Sequence, residues 1–203
     1  MTTALPTESP DYRAVRAELR AAEIALRDQR ERVAALRRRL PRDTRCDDVA
    51  LEVLDSPEAT TPARRRLSQL FDDPAKPLVL VHFMFGGAQT APCPMCTMWA
   101  DGYDGVVPHL RRRMSFGVVV AGDVADFAAY ARGRGWRHLR LCSSAGTSFK
   151  RELGMEDEAG AQMPGVSVFT LGDDGAPRHF TTTGAMLAPG EFRGMDLLSP
   201  VWN

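Results

Sequence analysis

Two cysteines separated by two residues, Cys93 and Cys96, follow a nearly continuous apolar run in this sequence. The run, residues 78–85, has the length and composition of a strand that is covered on both faces of a sheet. A short loop, residues 86–92, joins it to the cysteines, and the pattern after Cys93 is that of a helix with Pro94 in its first turn. The spacing therefore predicts two thiols at a helix N-terminus, directly after a buried strand.

The segments around this motif alternate between strand and helix patterns. Beyond residues 78–85 we expect strands at residues 49–54, 115–121, 139–142, 165–171 and 178–183, and helices at residues 124–134 and 147–153. Residues 94–113 are predicted to be helical only in part, because Gly102, Gly105 and Pro108 interrupt them. Alternation predicts parallel pairing, and the turn at residues 172–175 predicts a closing antiparallel hairpin.

This order predicts an α/β fold of the thioredoxin-like type, with a central mixed β-sheet flanked by helices. The extra strand and helix at residues 139–154 are closer to the peroxiredoxin variant of that fold. We place this domain at residues 46–203, and its apolar C-terminal end is expected to dock on it.

The N-terminal residues 1–45 are predicted to form a separate amphipathic helical arm. Apolar positions alternate in steps of three and four from Tyr12 to Leu40, a heptad stripe over about four heptads, and Pro41 ends the helix. Two interpretations remain open. The arm forms a coiled-coil contact in a homodimer, or it folds back on its own domain.

Charge and hydropathy restrict the partners and the compartment. The 203 residues carry a formal net charge of zero, which does not suggest a nucleic acid or an anionic membrane as a partner. The first ten residues lack the features of a secretory signal, and no apolar run has the ~20 residues of a membrane span. We therefore expect a cytoplasmic protein.

The cysteine pair suggests redox chemistry. A thiolate at a helix N-terminus faces unpaired N–H groups and the positive end of the helix dipole, so Cys93 is the expected nucleophile and Cys96 the resolving thiol. A metal half-site and reduced structural cysteines are the alternatives. Cys142, at a strand end, and Cys46, before the domain core, are expected to be inert.

Two residues upstream of the pair are candidates for tuning or substrate binding. His82, in the strand, is expected either to pack in the core or to lie near the thiols and tune their pKa. With His109 and the cysteines it would otherwise complete a metal site. Thr90 stands three residues before Cys93, as in peroxidatic sites where a hydroxyl positions a peroxide, although Gly86 replaces the proline expected further upstream.

Four residues downstream complete the candidate site. Trp99 is expected either in the core or in a substrate groove. Asp101 is expected either to be a capping residue or to transfer a proton from the deeper thiol. Met163 and Pro164 precede the last strand pair, where thioredoxin-like folds place a cis-proline that faces the redox pair.

These motifs carry a resemblance to a known family. His82-Phe-Met-Phe85, Cys93-Pro-x-Cys96 and Trp99-Ala-Asp101, followed by Gly105 and His109-Leu110, resemble a bacterial family of thioredoxin-like proteins classed as a domain of unknown function. The resemblance covers most of the chain and implies the fold, but no established reaction. The C-terminal end, Met195-Asp-Leu-Leu-Ser-Pro200, departs from the Leu-Asp-Leu-Thr-Pro-like end of the family.

The resulting hypothesis is a thiol-disulfide oxidoreductase, or a thiol-dependent peroxidase, that needs no cofactor. Its partners would be a small-molecule or protein disulfide or peroxide and a cellular thiol reductant. Two alternatives remain: a non-catalytic binding module for a small molecule or a partner protein, and a metal or haem protein that uses His82 and the cysteines.

Overall fold

A long helix forms most of the first of two compact units, which divide between Leu40 and Pro41. The computed structural model describes residues 7–184. Helix α1, Pro10–Arg38, begins where the Ser9 hydroxyl accepts a hydrogen bond from the Tyr12 N–H at 3.1 Å. None of its 29 residues is buried. Most apolar residues of the predicted stripe are accordingly exposed, among them Tyr12, Val15, Leu19, Leu26 and Leu36.

A seven-stranded mixed sheet organises the described part of the second unit. The strands are β1 Ala50–Leu54, β2 Ala63–Arg66, β3 Leu78–His82, β4 Ser115–Val120, β5 Leu141–Ser143, β6 Gly165–Leu171 and β7 Pro177–Gly184. Their order is β2-β1-β5-β4-β3-β6-β7. The three central strands β5, β4 and β3 are parallel, because helical crossovers connect them, and the four outer strands are antiparallel to their neighbours.

Helices cover both faces of this sheet. They are α2 Pro94–Leu110, α3 Val124–Arg134 and α4 Phe149–Glu152, with a 3-10 turn at Leu67–Leu70. Alternation along β3 separates two cores: Val81 packs with α2 and α3, and Leu80 packs with Phe149 and the 3-10 turn. The predicted sheet flanked by helices, with a long N-terminal helix, is thus confirmed.

Two elements differ from the prediction. Helix α2 runs unbroken through Gly102, Gly105 and Pro108. Its buried face packs against the sheet, and this packing outweighs the loss of the one helical hydrogen bond that Pro108 cannot donate. Strand β2 was not predicted because three of its four residues are arginines. It is an edge strand, where charged side chains reach solvent.

Within the described residues, no helix has the length and apolar character needed to cross a membrane. The apolar C-terminal end, for which docking on the domain is predicted, lies outside the described residues.

Candidate active site

The two thiols lie at the N-terminus of α2, as predicted. Cys93 is the N-cap residue: its backbone is extended, and its sulfur accepts a hydrogen bond from the Cys96 N–H at 3.4 Å. The Cys93 N–H donates to the Met84 carbonyl at 3.1 Å, which ties the cap to the end of the preceding strand segment. The strand, the loop and the helix start therefore fix the position of the first sulfur.

The pKa values of the two thiols are shifted in opposite directions. Hydrogen bonds from the Cys96 thiol and from the N–H groups of Cys96 and Met95 lower the pKa of Cys93 to about 6, against the opposing effect of burial. The thiolate beside it, together with burial, raises the pKa of Cys96 far above its ordinary value. At neutral pH Cys93 is thus a thiolate and Cys96 a thiol that donates to it.

Access to solvent follows the same order. Cys93 is 6% exposed and Cys96 2% exposed, and the residues on either side of Cys93 are more open than either thiol. An electrophile therefore reaches the Cys93 sulfur first. Cys96 lies almost one helical turn deeper, where it can attack only a bond that has already formed on Cys93.

Thr97 supports the helix start and was missed by the sequence prediction. Its hydroxyl donates to the Cys93 carbonyl at 2.9 Å and shares a hydrogen bond with the Tyr130 hydroxyl at 2.8 Å. Tyr130 belongs to α3, so this pair connects the first turn of α2 to the neighbouring helix. No local sequence pattern indicates a contact between residues so far apart in the chain.

The loop before Cys93 is held by backbone contacts. Gly86 and Gln89 exchange two backbone hydrogen bonds of 2.7 and 3.1 Å. Gly86 has φ +86°, and a Cβ at this position would lie 2.0 Å from the backbone of Gly122. Glycine is therefore required here for both its conformation and its size, where the sequence comparison with peroxidatic sites expected a proline.

A buried lysine, also missed, lies beneath this loop. The Lys150 ammonium donates to the Phe83 carbonyl at 3.1 Å and to the Gln162 side-chain oxygen at 2.5 Å. The Gln162 amide in turn donates to the Gly86 carbonyl at 2.6 Å. The two side chains thus connect α4 and the segment before β6 to the strand side of the loop that leads to Cys93.

Of the two alternatives for His82, the structure shows the packed one, and the ring does not lie beside the thiols. The pleat of β3 directs Val81 and Phe83 to the cysteine face, and the His82 ring stacks on Phe149 on the opposite face, with centroids 6.2 Å apart. Its Nε2 shares a hydrogen bond with the Ser167 hydroxyl at 2.8 Å, and burial keeps its pKa well below the ordinary value.

This geometry also removes the support for a metal or haem site built on His82 and the cysteines. Within residues 7–184, no group of three or more His, Cys, Asp or Glu side chains is arranged to hold a metal ion.

The other candidates upstream and within α2 occupy separate positions. Thr90 is exposed in the loop, and its hydroxyl makes no hydrogen bond to any described residue. Trp99 is buried, as one of its two interpretations required. Asp101 does not serve Cys96: its carboxylate accepts hydrogen bonds from Arg134 at 2.5 Å and from the Trp136 indole at 2.7 Å, so it joins α2 to the end of α3.

Met163 and Pro164 lie directly before β6, the strand that pairs with β3. No cis peptide bond occurs in the described residues, so the predicted cis bond at Pro164 is wrong. The Met163 N–H donates to the Met155 carbonyl at 3.0 Å, and the chain then continues in extended form into Gly165. The ordinary trans geometry suffices for this straight entry into the strand.

The remaining cysteines lie elsewhere. Burial raises the pKa of Cys142 to about 12 and that of Cys46 to about 11, so both are expected to be unreactive. Cys46 lines a cavity of about 380 Å³ together with Phe149, Phe169 and His179. This cavity belongs to the face that His82 occupies, and neither Cys93 nor Cys96 lines it.

A parallel three-strand centre, an antiparallel hairpin and a Cys-x-x-Cys pair capping a helix define a thioredoxin-like fold in its peroxiredoxin-like variant. The family follows from the sequence itself. The chain belongs to a bacterial family of proteins of unknown function, DUF899, whose model matches residues 1–203. The resemblance inferred from the motifs is thus confirmed. No curated protein has a matching sequence.

The chain is similar to several solved structures. The mitochondrial 2-Cys peroxiredoxin of Plasmodium falciparum is 12% identical, with a TM-score of 0.51, and the match covers 76% of this chain and 88% of that chain. The peroxidoxin BcpB of Mycobacterium tuberculosis is 21% identical, with a TM-score of 0.46 and coverage of 76% and 92%. The exposed lipoprotein thioredoxin Etrx1 of Streptococcus pneumoniae is 14% identical, with a TM-score of 0.46 and coverage of 71% and 94%.

Proposed function

We propose that this protein is a thiol-disulfide oxidoreductase in which Cys93 is the nucleophile and Cys96 the resolving thiol. The observation that carries the proposal is the division of charge between the two sulfurs: a helix-capping thiolate with a pKa of about 6 beside a deeper thiol that stays protonated. A nucleophile with this pKa is ionised at neutral pH, and it is also a good leaving group in the second step.

The reaction proceeds in two exchanges. The Cys93 thiolate attacks one sulfur of a substrate disulfide, forms a mixed disulfide and releases the first substrate thiolate. Cys96 then loses its proton and attacks the Cys93 sulfur. The mixed disulfide breaks, the second substrate thiolate leaves, and the protein retains a Cys93–Cys96 disulfide. A cellular thiol reductant returns the pair to two thiols.

A thiol-dependent peroxidase is the second candidate. The observation in its favour is the fold similarity to a protein whose name is 2-Cys peroxiredoxin. Here the Cys93 thiolate attacks a peroxide oxygen, an alkoxide or hydroxide leaves, and a sulfenic acid forms on Cys93. Cys96 condenses with it to the same disulfide and releases water. Both candidates fit the cytoplasmic location that we propose, because that compartment supplies thiol reductants.

Three single variants test the proposal: Cys93→Ser, Cys96→Ser and, as the matched control, Cys46→Ser. With glutathione disulfide or hydrogen peroxide as substrate and dithiothreitol as reductant, we expect Cys93→Ser to lose at least about 100-fold in turnover and Cys46→Ser to retain it. With glutathione disulfide and no reductant, Cys96→Ser should accumulate a mixed disulfide of glutathione with Cys93, detected by intact mass. Full turnover in both Cys93→Ser and Cys96→Ser contradicts the proposal.

A further inference from the structure

Lys150 is one of only two lysines in a chain whose other cations are arginines. It is 1% exposed, whereas Lys76 is half-buried and forms an ion pair with Asp73 at 3.1 Å. Among the described residues Lys150 forms no ion pair. Burial of an ammonium without a carboxylate partner is energetically unfavourable, and neither step of the proposed exchange uses this lysine.

The peptide bond between Phe83 and Met84 connects this lysine to the deeper thiol. Its carbonyl, on Phe83, accepts the 3.1 Å hydrogen bond from the Lys150 ammonium. Met84, the other residue of this peptide, accepts the Cys93 N–H with its own carbonyl at 3.1 Å, and its backbone N–H lowers the pKa of the Cys96 thiol. A cation on the carbonyl polarises the peptide and strengthens its N–H as a donor, since hydrogen bonds in a chain reinforce one another.

The charges around Lys150 are consistent with a link to Cys96. A negative charge on Cys96 favours the ammonium form of Lys150, and the ammonium in turn favours the Cys96 thiolate. The other titratable groups that act on Lys150 or respond to it are Glu156, which is paired with Arg151 at 3.0 Å, and the neutral, buried His82. Burial lowers the pKa of Lys150 to about 8, so most molecules carry the charge at neutral pH.

We propose that Lys150 is a positioning residue for the resolving step, which stabilises the Cys96 thiolate through the Phe83–Met84 peptide and by its own charge. This role rests on the proposed function. In the step concerned, the Cys96 proton passes through solvent to the thiolate that the substrate released first. The Cys96 sulfur then bonds to the Cys93 sulfur, and the second substrate thiolate leaves.

Arginine would not serve equally well at this position. Its guanidinium is larger, planar and permanently charged, whereas the compact ammonium fits between one carbonyl and one amide oxygen. Gln162 completes the arrangement, because its amide group holds the Gly86 carbonyl at 2.6 Å while its oxygen accepts from Lys150.

The two exchanges can be timed separately with dithiobis(nitrobenzoate), in a Cys46→Ser background. The attack of Cys93 releases one coloured thiolate, and the attack of Cys96 on the mixed disulfide releases a second. We expect Lys150→Met to slow the second release about tenfold and to change the first release less than threefold. The matched control, Lys76→Met, should change neither rate.

Loss of the lysine leaves two buried acceptors without a donor, so the fold must be checked by circular dichroism and thermal melting. The double variant Lys150→Met/Gln162→Met removes the side-chain acceptor as well. It should show the same slow second release on a better-packed background. An unchanged second release in either folded variant overturns the role of Lys150.

A measurement without any disulfide chemistry separates this inference from the proposed function. In a Cys93→Ser/Cys46→Ser background, alkylation of Cys96 by iodoacetamide at pH 7, where Lys150 carries its charge, should fall about tenfold in Lys150→Met. That result supports the electrostatic role independently of disulfide exchange. If no second release occurs in the otherwise native chain, that outcome refutes the proposed function alone. Equal alkylation rates refute the electrostatic role and leave the proposed function standing.

Discussion

At the scale of single residues, the site depends on which of two similar sulfurs carries the charge. Cys93 caps a helix and receives N–H groups from Met95 and Cys96, whereas Cys96 lies one turn deeper and donates to Cys93. The same three-residue spacing therefore produces opposite pKa shifts. The difference arises from the position of each sulfur relative to the helix N-terminus, and it matches the two roles in the proposed two-step exchange.

The pH dependence of Cys93 alkylation tests this division. Because its pKa is lowered to about 6, the rate with iodoacetamide should rise between pH 5 and about pH 7 and then level off. An ordinary thiol would continue to gain reactivity through pH ~8.5. Cys96→Ala removes the donor thiol and should shift the midpoint to higher pH. A midpoint of 8 or above in the unaltered protein contradicts the assignment.

The residues of the site differ in how far the sequence could predict them. The Cys93–Cys96 pair and its helix start follow from neighbouring residues, and both were predicted. The face on which His82 lies depends on the pleat of β3, and the role of Asp101 depends on Arg134 and Trp136, which are more than thirty positions away. Long-range contacts of this kind leave no local pattern.

At the scale of elements, the loop between β3 and α2 determines where the first sulfur lies. Met84 accepts from the Cys93 N–H, the Phe85 carbonyl accepts from the N–H groups of Ala121 and Gly122 at 3.1 and 3.0 Å, and Gly86 packs against Gly122. The loop is therefore attached to the end of β4 as well as to its own helix. A change in this attachment should affect reactivity as well as stability.

Gly86→Ala and Gly87→Ala form a matched pair of variants for this loop. Both positions have positive φ, +86° and +59°, but only a Cβ on Gly86 would meet the backbone of Gly122. Gly87→Ala should lower the free energy of unfolding by about 1 kcal/mol, and Gly86→Ala by clearly more, with slower Cys93 alkylation. The measurements are urea denaturation and the alkylation rate. Equal effects of the two substitutions would show that the close approach of Gly86 to Gly122 influences neither stability nor the reactivity of Cys93.

The helices and strands were predictable where one pattern dominates. The apolar run before the loop predicted β3, and Asp123 predicted the start of α3. The Asp123 carboxylate accepts hydrogen bonds from the N–H groups of the first turn of α3 at 2.7 and 3.1 Å. Helix α2 was predicted to break at its glycines and proline, yet burial of one face against the sheet outweighs their low helix propensity.

At the scale of the whole molecule, the order of strands follows from the connections between them. The β3-α2-β4-α3-β5 segment forms the parallel centre, and the β6–β7 hairpin adds an antiparallel edge, as alternation predicted. The arginine-rich strand β2 pairs with β1 at the opposite edge and could not be recognised from hydrophobic periodicity. The thioredoxin-like class was therefore accessible from sequence, while the full width of the sheet was not.

A homodimer formed through the heptad stripe of α1 stays a prediction. Its apolar residues are exposed along one helix, and knobs-into-holes pairing with a second copy would bury them. Leu19→Glu/Leu26→Glu should convert a dimer into a monomer in light scattering. The control Ala17→Glu/Ala21→Glu adds the same charge away from the stripe and should leave the dimer intact. A monomeric unaltered protein would refute the coiled-coil interpretation.

The central claim is that Cys93 and Cys96 interconvert between two thiols and one disulfide. Equilibration in glutathione buffers of graded potential, followed by acid quenching and mass analysis of alkylated thiols, measures this directly. We predict that both thiols disappear together as a reversible two-electron couple, with a midpoint between about −270 and −120 mV, and that Cys93→Ser abolishes it. If both thiols stay reduced in excess glutathione disulfide, or are lost without recovery by dithiothreitol, the pair is not a redox site.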